Sequence, residues 1–233
     1  MEWAPIPWPA DGVGFTIDDP NGYGQGYEYD PETGLMVFVA DNSLALNTNA
    51  LIGVTTGRPF ALEIPLLDMI PGWDPATEDL WLRVLPVDPA ADNTRLGMAI
   101  GVVQGTNIVL PGVGWYETSA TNHAAVHVTS GVTLSSNTGT APPAFVEARS
   151  FRQAPTGKTG AITYGLASRW EGTGLTTGSL GASAGATGRT DDPALMNLRV
   201  VLLHAASGVA PSGTDFTSSR FLYAVVPSPL GGT

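Results

Sequence analysis

Apolar and polar positions alternate over short stretches of this chain, and no sustained run repeats with the spacing of an amphipathic helix. The strongest local signal is a hairpin. Tyr27-Glu28-Tyr29 and residues 35–39 flank Asp30-Pro31-Glu32-Thr33-Gly34, in which Asp opens a turn, Pro presets its first corner and Gly accepts a left-handed exit. Residues 59–67 and 80–85 read as strands, separated by a loop over 68–79 with room for one helical turn. Further strands are predicted at 95–104, 106–110, 115–118, 124–129, 145–152 and 160–169. The long apolar run 195–204 predicts a central strand, and 221–226 one that closes a sheet. The Gly/Ser/Thr/Ala tract 172–190 reads either as a loop or as a strand of small side chains. About a dozen strands at roughly 8–12-residue spacing predict an all-β, two-sheet antiparallel sandwich of the jelly-roll kind.

The first residues differ in kind. Trp3, Pro5, Pro7 and Trp8 lie in a segment with proline at every second position, which favours an extended arm without internal hydrogen bonds. The division expected is an arm over 1–11 and one sandwich over 12–233. Trp3 and Trp8 are anchors, either for the arm's own domain or for a neighbouring subunit.

Composition supports this picture. Only 13% of the 233 residues are charged, while 29 Gly and 19 Pro suit tight turns. Cysteine is absent, which excludes disulfides, thiolate catalysis and cysteine-held metals. The net charge of −11 is concentrated in residues 1–92, with 15 acidic and two basic side chains. With a single lysine, Lys158, the chain lacks the clustered cations that phosphate binding needs, so nucleic acid is not an expected partner. No apolar run approaches the ~20 residues of a membrane-spanning helix, and the N-terminal residues lack a signal-peptide layout, so a soluble chain with no membrane partner is expected.

Candidate chemistry is sparse. His123 and His127 stand four apart, a metal-binding spacing on a helix, but the surrounding Thr and Val favour a strand, where they lie about 13 Å apart. Glu28 with Glu32, Asp68 with Asp79, and Glu147 with Glu171 are candidate acid pairs for glycoside chemistry, though none forms a cluster on one strand face. Asp18-Asp19 and Asp191-Asp192 read as turn caps, with weak calcium binding open at the first. No nucleophilic serine motif or phosphate loop is present. The expectation is therefore no catalytic residue, no metal, no cofactor and no enzyme. Aromatics at predicted loops or strand ends, Trp73, Trp115, Tyr116 and Trp170, are candidates for stacking on a sugar ring, whereas Trp81 within an alternating strand reads as core.

The missing cysteine, the tract 172–190, the Pro/Trp arm and the runs 195–204 and 221–226 together resemble structural proteins of tailed-bacteriophage particles: fibre, spike and head-decoration subunits. The last two runs are also similar to the terminal strands of lectin-like, concanavalin-type sandwiches. The resemblance implies a virion component assembled in the host cytoplasm and placed on the particle exterior. Its partners would be copies of itself, often as a trimer, and other virion proteins, with surface glycans a further partner. A carbohydrate- or receptor-binding module is the alternative, and a glycoside hydrolase or lyase on the same scaffold the second alternative.

Overall fold

The turn at residues 30–34 shows how the sandwich is built. Asp30 accepts from the Glu32 amide at 2.9 Å and from the Thr33 hydroxyl at 2.6 Å. The Thr33 hydroxyl, and after it the Glu32 amide, hold the Asp30 carboxyl below the usual carboxylate range. The Gly34 amide donates to the Asp30 carbonyl at 2.9 Å, and Gly34 takes φ +74°, which a residue without a Cβ adopts freely. This turn joins β3 (Gly26–Asp30) to β4 (Leu35–Val39), paired antiparallel with Tyr29 opposite Met36.

The computed structural model describes residues 1–8, 16–18, 26–39, 61–74, 77–89, 96–104, 107–119, 122–129, 132–139, 141–153, 163–171, 178–184, 192–204 and 216–227. Asp19, Asp191 and residues 172–177 and 185–190 of the small-residue tract lie outside these residues. The described strands form two antiparallel sheets. The first runs β13 (Gly178–Ala184), β12 (Thr163–Glu171), β11 (Phe145–Gln153), β6 (Glu78–Pro89), β15 (Phe216–Pro227), β4, β3. The short β1 (Ala4–Pro5) also pairs with β15. The second runs β10 (Val132–Gly139), β9 (Asn122–Thr129), β8 (Asn107–Ser119), β7 (Leu96–Gln104), β14 (Asn197–His204), β5 (Ala61–Pro65), β2 (Thr16–Asp18). The all-β sandwich predicted by the alternation is the fold of the chain. Part of the small-residue tract is strand β13, and β15 sits between β6 and β4 rather than at a sheet edge.

Alternation decides what lies between the sheets. Leu80, Leu82 and Val84 of β6, Val146 and Ala148 of β11 and Phe221 of β15 face Leu62 and Ile64 of β5, Ile100 and Val102 of β7, and Leu198 and Val200 of β14 in one buried cluster. Each such side chain taken from water contributes roughly 1.5–3 kcal/mol. The predicted helical turn is α1 (Leu66–Met69), which adds Leu66 and Met69 to the core and takes a 2.8 Å bond from the Leu66 amide to the Met196 carbonyl. Asp192 caps a single 3-10 turn, Pro193–Leu195, by accepting from the Ala194 amide at 2.9 Å, as its reading as a turn cap predicts.

Candidate functional site

Residues that alternate with the core of the first sheet form its outer face. On β6 these are Trp81 and Arg83, and on β11 they are Phe145, Glu147 and Arg149. The register sets Glu147 opposite Arg83 and Arg149 opposite Trp81. Arg83 donates from Nε and Nη2 to one oxygen of Glu147, at 2.8 and 2.6 Å. Its guanidinium lies between two rings, 4.0 Å from the centre of Trp3 and 4.5 Å from that of Phe145. Arg149 lies 5.0 Å over the ring of Trp81, and Trp81 meets Trp3 edge to face at 6.4 Å. Arg–aromatic contacts of this kind contribute about 0.5–2 kcal/mol each, more as water is excluded. The Arg83 side chain keeps 20% exposure and Glu147 only 2%, so the carboxylate is the fixed base and the guanidinium edge reaches the surface. Trp3, Trp81, Phe145 and Arg149 are all half-buried. Both bonds to Glu147 leave Nη1 of Arg83 without a partner among the described residues, a donor pair on a rigid mount.

Trp3 arrives by way of the N-terminal arm. Ala4 and Pro5 pair with Tyr223 and Leu222, and the Ile6 amide donates to the Phe221 carbonyl at 3.1 Å. Beyond that point Ile6 and Trp8 turn into the core. The Tyr29 hydroxyl donates to the Ile6 carbonyl, and its ring meets Trp8 edge to face at 6.3 Å. Burial pushes the Tyr29 hydroxyl pKa up, so it stays a donor. Of the four residues singled out in the arm, Trp8 is core, Trp3 lies on the outer face, Pro5 is half-buried against β15 and Pro7 is exposed. In this structure the arm is seated on its own sandwich.

The aromatics expected as ligand platforms are placed differently. Trp73 and Trp115 are core residues, 4% and 1% exposed, and are not presented to solvent. Trp73 follows α1 with its amide donating to the Ile70 carbonyl at 3.4 Å, and Trp115 shares the inward face of β8 with Val113 and donates to the Ser219 hydroxyl at 2.8 Å. Tyr116, one position on, is half-buried opposite Gly97 and Ala124, on the outer side of the second sheet. Trp170 pairs through its backbone with Val146 and Gly178, and its side chain lies outside the described residues. Trp81, read as core, belongs to the outer face because its neighbours Leu80 and Leu82 point inward.

The remaining candidates do not assemble. His123 and His127 lie along strand β9, so their spacing separates them, and no cluster of metal-binding side chains occurs among the described residues. His123 is buried 5.8 Å from Trp115, without a hydrogen bond to either ring nitrogen among the described residues, and burial lowers its pKa. Glu147 is bonded to Arg83, and its strand partner on β12 is Arg169 rather than Glu171. Asp68 is exposed on α1, whereas Asp79 is buried at the start of β6. On the second sheet Arg199 is 3% exposed, stands 3.7 Å from Glu63 and has its pKa pushed down to about 10 by burial. Asn197 donates to the other Glu63 oxygen at 2.7 Å, which makes this a pinned structural pair.

No family model and no curated protein matches the chain. Solved structures similar to the chain are found at low identity. One is a protein of unknown function, SO2946 from Shewanella oneidensis (10% identity, 99% of this chain, 87% of that one, TM-score 0.43). Another is the CBM2 module of the evolved Dit of Lactobacillus casei phage J-1 (13%, 97% and 96%, TM-score 0.44). A third is the carbohydrate esterase vb_24B_21 from the Shiga toxin-encoding bacteriophage phi24B (12%, 97% and 97%, TM-score 0.40). Phage proteins are thus among the structures of similar fold, a diffuse likeness without a diagnostic motif. The expectation that the chain is not an enzyme is corrected by the same comparison. Besides the esterase, the similar structures include an alginate lyase of polysaccharide lyase family 7 at 13% identity and the GH43 protein BlXynB from Bacillus licheniformis at 8%.

Proposed function

We propose that this chain is a glycan-binding component of a bacteriophage particle, with the outer face of the first sheet as its sugar-contacting surface. The observation that carries the reading is the set of half-buried rings and guanidiniums at Trp3, Trp81, Arg83, Phe145 and Arg149, mounted on the buried carboxylate of Glu147. Sugar rings offer apolar C–H faces and a fringe of hydroxyls, and a site for them needs aromatic surface beside fixed donors and acceptors. Strands hold such a constellation more rigidly than loops, which reduces the ordering cost of binding. The particle setting is supported by the texture of the sequence: no cysteine, a small-residue tract and a Pro/Trp arm. In that setting the chain sits on the exterior with copies of itself and other virion proteins.

The test is a glycan array probed with the purified chain, followed by Trp3→Ala, Trp81→Ala and Phe145→Ala. Binding that each substitution weakens at least tenfold, with the circular dichroism spectrum unchanged, supports the reading. An array without hits, or hits indifferent to all three substitutions, overturns it.

A further inference from the structure

We infer that the glycan taken by this face is uncharged, a neutral oligosaccharide rather than a uronate- or sialate-bearing one. The inference rests on the glycan-binding reading and deepens it. The chain as a whole carries −11, yet the charges on this face balance. Arg83 and Arg149 supply two positive charges, against Glu147 and Asp79, which precedes Trp81 by two residues on the same side of β6. The register adds Arg169 opposite Glu147 and Glu171 opposite Phe145 on β12, and, farther along the face, Arg220 opposite Leu85 with the Asp30 carboxylate near it.

An acidic sugar needs a cation whose charge is not already answered. Arg83 is answered at 2.6 Å by a carboxylate that is 2% exposed, a pair too short and too buried for a solvated sugar carboxylate to displace. Bringing in a further anion would place it near Glu147 and Asp79 as well as near the guanidiniums. Hydroxyls meet no such conflict. They accept from the free Nη1 donors of Arg83 while their C–H faces pack on Trp3, Trp81 and Phe145, and neither contact requires net charge.

The experiment is isothermal titration of the full chain with two panels of hexasaccharides, at 50 and 500 mM NaCl. The neutral panel is cellohexaose, xylohexaose, mannohexaose and chitohexaose; the acidic panel is hexamannuronate, hexagalacturonate and a sialylated hexasaccharide. The expected result is binding within the neutral panel that changes less than about twofold between the two salt concentrations, because screening acts on net charge. Trp81→Ala and Trp3→Ala then reduce that binding at least tenfold. Tighter binding of an acidic probe, with affinity falling tenfold or more at high salt, overturns the inference while leaving the glycan-binding reading intact. Binding to neither panel, together with an array without hits, overturns the reading and the inference at once.

Discussion

Gly34 and Gly72 form a matched pair whose comparison measures how tightly the arm junction is packed. Both hold φ in the left-handed region, at +74° and +82°. Replacing either by alanine imposes the same backbone penalty, about 1–2 kcal/mol. At Gly72 nothing lies within 4 Å of the added Cβ, so that penalty is the whole effect. At Gly34 the Cβ would stand 2.7 Å from the Phe221 carbonyl oxygen and 3.3 Å from the Cβ of Pro5. Phe221 cannot retreat cheaply, because its amide donates to the Gly34 carbonyl at 2.9 Å and its carbonyl accepts from Ile6 at 3.1 Å. Relief of such overpacking by shifting backbone adds about 1–3 kcal/mol. Urea unfolding followed by fluorescence should therefore give Gly34→Ala a loss larger than Gly72→Ala by that amount, with similar m values. In a chain without residues 1–6 the contact to Pro5 vanishes but that to Phe221 persists, so the difference should shrink without disappearing. Equal losses for the two variants in the full chain would refute the packing proposed for this junction.

Three further outcomes follow from the same physical terms. Trp8→Ala removes a fully buried indole and should cost about 3–5 kcal/mol in urea unfolding, with increased hydrogen exchange over residues 3–8. Tyr29→Phe deletes the hydroxyl donated to the Ile6 carbonyl and should cost about 0.5–1.5 kcal/mol, read by the same two measurements. His123 is held neutral by burial, so its folded pKa lies below that of the unfolded chain and the unfolded chain takes up the proton first. Its contribution is intact above the unfolded value of ~6.5 and is lost as pH falls towards the folded value. Melting temperatures measured between pH 7.5 and 5 should decline in wild type more steeply than in His123→Gln, and identical slopes would exclude His123 as the cause.

The features readable from the sequence were those written in consecutive residues. The Asp30-Pro31-Glu32-Thr33-Gly34 run encodes its own turn through side chains that cap neighbouring amides, and the structure has that turn. The run around β14 was legible as a central strand because it is apolar over consecutive residues, and the structure sets it between β7 and β5. The outer-face constellation was not legible. Trp3, Arg83 and Phe145 are far apart in the chain and are brought together by the pairing of β1 with β15 and of β6 with β11 and β15, which a single sequence does not display. Two signals were nevertheless present. Leu80, Leu82 and Val84 set a parity that turns Trp81 and Arg83 outward. Val113 and Trp115, interleaved with Gly112 and Gly114, set one that turns Trp115 inward.

The position of β14 and β15 has a consequence for biosynthesis. These two late segments lie in the middle of the sheets, β14 between β7 and β5 and β15 between β6 and β4. A nascent chain that has emerged only as far as β13 therefore has two half-sheets facing empty slots, each with unpaired amides and carbonyls along both margins. Native closure must wait until residue 227 clears the ribosome, and until then the margins can recruit strands from other nascent chains.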